Sequence, residues 1–410
     1  MQHSILITEE VLHSKADYAD SRGLIPELLL RLIAASIKNP TELRLPFGGS
    51  IGQPGWDGIV VSPHAFEPYV PQGQSFWEIG VGTDPTDKAT RELTKRTKET
   101  KEAERRSSTF VFVTPRSACH SWSVDNQRAW IENRRQSTDW RDIRIIDGTK
   151  LVHWLSLFPG IEFWLAEEFG IPTNGISSPL IHCEDLKRYG SPPDLSPDVF
   201  LIGREKAVTQ LLRVFRGETL EILLETRYPE EGIDFVTATL ASLDSAQRTA
   251  FAGRCLIIDD PETWKAMCTL QNSHVFIATP SLDVLSTGAP LRNQARNKGH
   301  GVIFAGIPIA GVHGNAVRLT EAKPYDMEKV LVSCGYSAEK ARTISNKCEG
   351  RITILKRLLL DISASPDWAS SAVASELAIA ALIGQWDGCF EGDRGAVEGT
   401  LGKGYGEWVG

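Results

Sequence analysis

The sequence predicts an α/β protein made of two successive alternating regions followed by a helical segment. Three observations carry this. Short hydrophobic strand-type runs alternate with helical stretches from residue 22 to 169, and again from 200 to 307. A stretch rich in proline, glycine and serine separates the two. A chain of 410 residues also exceeds one ordinary hydrophobic core.

Residues 22–38 carry apolar side chains at helical spacing, with Pro26 near the start. After Asn39-Pro40 the pattern turns to strands: LRLPFG (43–48) and GIVV (58–61), around the turn-rich GGSIGQPGWDG. QSFWEIGV (74–81) reads as the next strand. A charged helix then begins near Pro85, since proline suits a first helical turn. STFVFVTP (108–115) and RDIRIIDG (141–148) are further strands, with helices over 124–136 and 150–169. Residues 171–198 read as a linker or extended arm. Beyond it, LIGREKAVTQLLRVF (201–215) gives a short strand, a turn and a helix. LEILLE (220–225) is a strand and 233–243 a helix. RCLIIDD (254–260), HVFIATP (274–280) and GHGVIFAGI (299–307) are strands. The pattern becomes helical from 324 to 362, and 364–410 starts helical and ends in glycines.

Composition is that of a globular protein, 41% hydrophobic and 23% charged, with no apolar run near the roughly 20 residues a membrane span needs. The N-terminus lacks the basic-then-apolar order of a signal peptide. Seven scattered cysteines without a C-x-x-C pair fit a reducing compartment and argue against a structural zinc site, so the cytoplasm is expected and no membrane is. The net charge of −8 excludes a general affinity for nucleic acid, so any such contact needs a local basic patch. RELTKRTKETKEAERR (91–106) is a candidate, with Lys or Arg at 91, 95, 96, 98, 101, 105 and 106. Glutamates at 92, 99, 102 and 104 dilute it, so a solvated helix face and a phosphate-facing surface both remain open.

Two carboxylates stand out. Asp57, in GWDGIVV, precedes a strand, and Glu78, in FWEIGVG, lies one hairpin later. Phosphodiester hydrolysis with a divalent metal needs acidic ligands near the scissile phosphate, and a nearby lysine offsets developing charge. Strand alternation sets Glu78 and Gly80 on one face, so Gly80 stands where a Glu-x-Lys pattern would carry its lysine. The following helix offers Lys88, one turn in, and Lys95, two turns further on a similar face. Glu27 on the first helix is a candidate auxiliary acid. Asp57 also suits a plain turn, and Glu27 and Lys95 also suit a solvated surface. Glu78 interrupts an apolar run, where a buried carboxylate wants a partner or a metal. Trp56 and Trp77 read as core packing.

The stretch LRLPFGGSIGQPGWDGIVV…VPQGQSFWEIGVGTDPTDKATRELTKRT resembles the N-terminal effector domain of large bacterial anti-phage proteins, in which a PD-(D/E)xK, Mrr-like restriction-endonuclease-like domain is fused to a STAND-type NTPase and a C-terminal sensor. The resemblance covers about residues 20–170 and is most specific in GWDG, WEIG and the K-A…K-R-T that follows. It implies a mixed sheet flanked by helices, DNA as substrate, Mg²⁺ or Mn²⁺ as cofactor held by Asp57 and Glu78, and Lys88 completing the catalytic set. Gly80 departs from the family's lysine.

The second half resembles a STAND/AAA-like module, a P-loop-like α/β domain with a helical lid, from Gly203-Arg204-Glu205 to about residue 363. Its Walker A is degenerate: after LEILLE the chain reads ETRYPEEGIDF, without GxxxxGK[ST]. Glu230 and Glu231 stand where an anionic ligand would sit, and like charges oppose a triphosphate. The Walker B-like LIIDD keeps Asp259 and Asp260, which also suit a turn, and Gly350-Arg351 resembles a sensor position. ATP hydrolysis is not expected.

The expected organisation is therefore a nuclease-like domain over 1–170, a linker over 171–198, a degenerate NTPase-like core over 199–320, a helical lid over 321–363 and the start of a further helical domain over 364–410. The leading functional expectation is a Mg²⁺-dependent DNA endonuclease effector in phage defence, with a homo-oligomer and a phage-derived trigger or partner protein as possible associates. A nuclease-fold adaptor that binds DNA without cutting, and a nucleotide-controlled STAND switch, are the alternatives.

Overall fold

The computed structural model describes residues 6–18, 21–46, 55–117, 122–186, 193–226, 228–280, 282, 289–306 and 316–359. Residues 1–188 and 193–355 form one compact unit; the second unit, 189–192 with 356–410, is described only at 356–359. The expected further domain over 364–410 lies outside the described residues.

The N-terminal half runs α1 (Glu9–Lys15), α2 (Ser21–Ser36), β1 (Glu42–Arg44), β2 (Gly58–Ser62), β3 (Gly73–Ile79), α3 (Pro85–Glu99), α4 (Glu102–Ser107), β4 (Thr109–Val113), α5 (Val124–Ser137), β5 (Asp142–Ile146), α6 (Gly148–Leu155) and α7 (Pro159–Glu168). The five strands form a mixed sheet in sequence order. The β1–β2 and β2–β3 pairs are antiparallel; β3–β4 and β4–β5 are parallel. β2 alternates buried and half-buried residues, whereas all five residues of β4 are buried, as a strand covered on both faces requires. The helix expected over 150–169 is two helices, since Pro159 cannot continue the first and starts the second.

Alternation along β3 sorts the core. Phe76 packs with Ala89 and Leu93 of α3 and with Phe110, Phe112, Trp122 and Trp140. Trp77 faces the other way, into a larger core with Leu28 and Leu32 of α2. That core runs on without a break through Trp164 and Leu165 of α7 to Leu224 and Ile303 of the second sheet and the helix residues Phe235 and Leu240.

The C-terminal half contributes β6 (Ile176–Ser177), α8 (Pro179–Asp185), a short 3-10 helix (Pro197–Phe200), α9 (Glu205–Phe215), β7 (Glu221–Glu225), α10 (Glu230–Ala241), α11 (Ser245–Ala252), β8 (Cys255–Ile258), α12 (Pro261–Met267), β9 (Val275–Ala278), α13 (Ala289–Asn297), β10 (Gly301–Gly306), β11 (Ala316–Arg318), α14 (Pro324–Ser333), α15 (Ala338–Cys348) and α16 (Ile352–Leu359). The sheet order is β11-β7-β10-β9-β8-β6, parallel except for the antiparallel β6–β8 pair. The molecule is thus an α/β protein with two mixed sheets flanked by helices.

Two further expectations need correcting. The stretch read as a linker carries β6 and α8: Ile176 pairs with Ile258, and Leu180 and Cys183 are buried in the shared core. Its prolines and serines serve as helix starts, with Pro179 opening α8 behind a Ser178 cap. The short strand expected after residue 200 is instead a turn following the 3-10 helix. Among the described residues, no helix is long and apolar enough to cross a membrane.

Candidate active site

The β2–β3 register pairs Gly58 with Trp77, so Asp57 follows on beside Glu78 with its side chain on the same face, the one α3 covers. Asp57 Oδ2 accepts the Ile79 amide at 2.8 Å, which fixes the carboxylate at the carboxyl end of β3. A cavity of about 500 Å³ opens there, lined by Asp57, Gly80 and Lys88 with Arg22 and Pro26 of α2 and Arg91 of α3. The carboxyl ends of strands are where open α/β sheets place their ligands.

Glu78 lies behind that wall and is 1% exposed. Burial, then the neighbouring charge of Asp57, push its carboxyl up to about 8 against the pull of Arg96. Arg96, also buried, donates from Nε to Glu78 Oε1 at 2.5 Å, from Nη1 to Glu99 at 2.9 Å and from Nη2 to the Gly55 carbonyl. Its guanidinium also lies over the Trp56 ring, 4.8 Å from the centroid. One cation therefore ties α3, β3 and the segment leading to Asp57 together. Trp56 stacks on Phe76 at 4.6 Å and also lines the cavity, whereas Trp77 is fully buried in the core.

Gly80 explains where Lys88 goes. A Cβ built on Gly80 would lie 3.0 Å from Lys88 Cγ and 2.7 Å from the Phe112 ring. The lysine of the first turn of α3 thus crosses the space a side chain at position 80 would claim. Its Nζ is held by Glu92 at 2.7 Å, an i,i+4 pair whose acid is nearly buried. Although burial favours the neutral acid, the Lys88 hydrogen bond and charge hold the Glu92 carboxyl below its ordinary range.

The structure therefore brings together Asp57, Glu78 and Lys88. It does not bring Glu27 or Lys95 to them. Pro26 lines the cavity, but Glu27, one position round the helix, is paired with Arg31 at 2.7 Å, and Arg31 reaches Glu184 and the Trp164 ring. Lys95 is exposed: seven residues put it on nearly the same side of α3 as Lys88 but about 10.5 Å further along the axis, outside the cavity. Glu92 and Arg96 were not singled out from the sequence. Their signal was the i, i+4, i+8 series Lys88-Glu92-Arg96, a stripe of alternating charge inside a run that reads simply as basic.

Among the described residues no three His, Cys, Asp or Glu side chains gather to hold a metal ion. The fit here is that of a two-carboxylate set: paired acids on one face, whose mutual repulsion a divalent cation would relieve.

The corresponding place in the second sheet is closed. Glu231, in the first turn of α10, accepts from buried Arg204 on Oε1 and from Thr226 Oγ1 on Oε2 at 3.1 Å. Arg204 also donates to the carbonyls of Thr320 (2.9 Å) and Phe200 (3.1 Å). Gly232 packs so tightly that a Cβ would lie 2.2 Å from Ala305 Cβ. Asp260 caps α12 through the Thr263 amide at 2.7 Å, and Arg351 pairs with Glu349 at 2.8 Å, so these motif-like residues have local structural work.

No protein-family model matches the chain, and no curated protein sequence matches it.

Proposed function

We propose that the chain is a Mg²⁺- or Mn²⁺-dependent DNA endonuclease effector, its N-terminal half a restriction-endonuclease-like PD-(D/E)xK domain and its C-terminal half a degenerate STAND/AAA-like module with a helical lid, acting in the cytoplasm in phage defence. The observation that carries this reading is the convergence of Asp57 and Glu78 on one sheet face, with Lys88 laid across Gly80 beside them. Asp57 and Glu78 would hold the metal, which would supply Lewis-acid stabilisation of charge developing on the phosphodiester. Asp57 presents its carboxylate at the cavity wall, anchored by the Ile79 amide. Lys88 supplies a cation, held by Glu92, on the side of the cavity where negative charge would grow. The C-terminal module serves as a scaffold without ATP hydrolysis, because Glu231 and Arg204 satisfy each other where a triphosphate would need cationic donors. Cutting both strands takes two hydrolytic events, which a homo-oligomer would provide, and a phage-derived trigger or partner protein would switch it on.

One observation favours a second reading. Arg96 already occupies Glu78 Oε1, so the pair is partly neutralised without a metal, as a DNA-binding adaptor of nuclease fold would have it. Supercoiled plasmid separates the two. Nicked or linear product in Mg²⁺ or Mn²⁺, abolished by EDTA and by Asp57→Ala with Glu78→Ala, is expected. Salt-sensitive binding with no product in either metal would replace the nuclease by the adaptor.

A further inference from the structure

The basic run on α3 resolves into two kinds of charge once its partners are known. Three of its four glutamates are paired with cations, and Glu104 is in no ion pair among the described residues. Glu92 is nearly buried against Lys88, Glu99 holds Arg96 at 2.9 Å, and Glu102 holds Arg106 at 2.6 Å. Two of its cations also have structural work: Arg96 on Glu78, and Arg105 on Asp139 and the Thr97 carbonyl. What faces outward is Arg91, Lys95 and Lys98, with Lys101 just past the helix end. Lys95, Lys98 and Lys101 form no ion pair among the described residues, and Arg91 has the exposed Asp87 at 3.1 Å.

These side chains follow i, i+4, i+7, which is one stripe of the helix. The stripe starts at the cavity, since Lys88 and Arg91 line it. At 1.5 Å per residue, the steps along the axis are roughly 6 Å and 4.5 Å. A duplex presents one phosphate per ~3.4 Å of axis on each strand, so the stripe spans about three. Two flanking cations extend it. Arg22 of α2, on the other wall of the cavity, is exposed and in no ion pair among the described residues. Arg134 of α5 lies over the Trp130 ring, and Trp130 donates to Thr90 of α3, so that cation borders the same helix. Asp84 and Asp87 are the opposing charges at the mouth. Asp84 caps α3 through the Asp87 amide and Asp87 is paired with Arg91, so the stripe beyond Arg91 carries lysines alone.

We infer that the outward stripe of α3, Arg91-Lys95-Lys98 with Lys101 beyond it, is the track along which a DNA backbone lies as it runs into the cavity; this rests on the nuclease reading for the choice of DNA. The track binds phosphates without reading bases, as lysines on one helix face give point charges rather than paired donors. It reconciles the net charge of −8 with a nucleic-acid substrate by confining the positive surface to one helix.

The test is fluorescence polarisation of a labelled duplex with the full chain in EDTA, across a salt series. It compares wild type, Lys95→Glu with Lys98→Glu, and a control of equal charge change on exposed residues elsewhere, Lys323→Glu with Lys347→Glu. The track predicts at least about tenfold weaker binding for the α3 variant and a salt slope shallower by about 2, near 0.9 for each lost contact. The control should behave as wild type, and both variants should keep the wild-type melting temperature. Equal affinity and slope in all three proteins would overturn the track, as would equal weakening by both variants, which marks net charge alone. A wild type that binds along α3 but never cuts plasmid would leave the track standing and remove the nuclease reading. A wild type that cuts while the α3 variant binds and cuts normally does the reverse. No binding of duplex by the wild type at any salt contradicts both.

Discussion

Each sheet of this protein has a buried glutamate tied to a buried arginine near a strand's carboxyl end, and the two pairs differ in what surrounds them. Glu231 has its two oxygens divided between Arg204 and Thr226, and Arg204 also donates to two backbone carbonyls. Among the described residues Arg204 is in an ion pair with Glu231 and with no second acid. Glu78 shares Arg96 with Glu99 and stands beside Asp57, and burial first, then the Asp57 charge, push its carboxyl up to about 8. A lone acid paired with an arginine closes a site; two acids side by side at an open cavity are where the proposed metal would sit. On the nuclease reading, similar buried ion pairs would carry opposite functional meanings.

The largest effect that could break this contrast is on cleavage. Asp57→Asn and Glu78→Gln should each slow DNA cutting about a thousandfold at saturating DNA, roughly 4 kcal/mol of lost stabilisation. Glu231→Gln, assayed at low temperature where it stays folded, should leave the rate within about threefold. Comparable losses from both pairs would erase the distinction. Stability should then separate them in the other direction. Glu231→Ala strands a buried arginine and should cost about 3–5 kcal/mol in denaturant unfolding. An effect under ~1 kcal/mol would mean the pair does not close the second sheet.

Acid sensitivity should belong to the second sheet as well. His274 is buried against His300, its ring nitrogens unpaired, and burial first, then the His300 and Arg254 charges, lower its pKa to about 3. Between that value and the ordinary 6.5 the unfolded chain binds the extra proton. The contribution is therefore intact above about pH 6.5 and is lost as pH falls. About 3 kcal/mol should disappear between pH 7 and pH 4, and His274→Leu should flatten that limb of the unfolding profile. An unchanged profile would remove the histidine from the account. Next in size, Lys88→Met should lower kcat about a hundredfold with little change in DNA affinity. A loss confined to affinity would make Lys88 a phosphate contact only. The smallest expected change sharpens the comparison most. Glu78→Gln should shift stability by less than about 1 kcal/mol, because the amide keeps an oxygen for Arg96 while removing repulsion with Asp57.

Much of the first half was legible because its signals are local. Proline at 85, alternation in β2 and β3, and the apolar β4 each specify an element within a few residues. Asp57 and Glu78 were legible because a hairpin converts a sequence pattern into a cross-strand pair. What escaped depends on tertiary contacts. Arg96 looks like any member of a basic run until α3 turns it inward, and Glu92 looks like a diluting charge until Lys88 folds over Gly80. Glu27 was misplaced because one position on a helix rotates a side chain by about 100°, away from the cavity Pro26 lines and toward Arg31. The stretch over 171–198 misled because proline and serine mark helix starts as well as linkers, and nothing within it shows that Ile176 will pair with Ile258.

The measurement that bears most directly on the two paired acids is anomalous diffraction from crystals of the protein grown with Mn²⁺. A peak within coordination distance of both the Asp57 and Glu78 carboxylates, absent in Asp57→Asn, is the predicted result. No peak at that position, with Arg96 still seated on Glu78 at saturating metal, would contradict it.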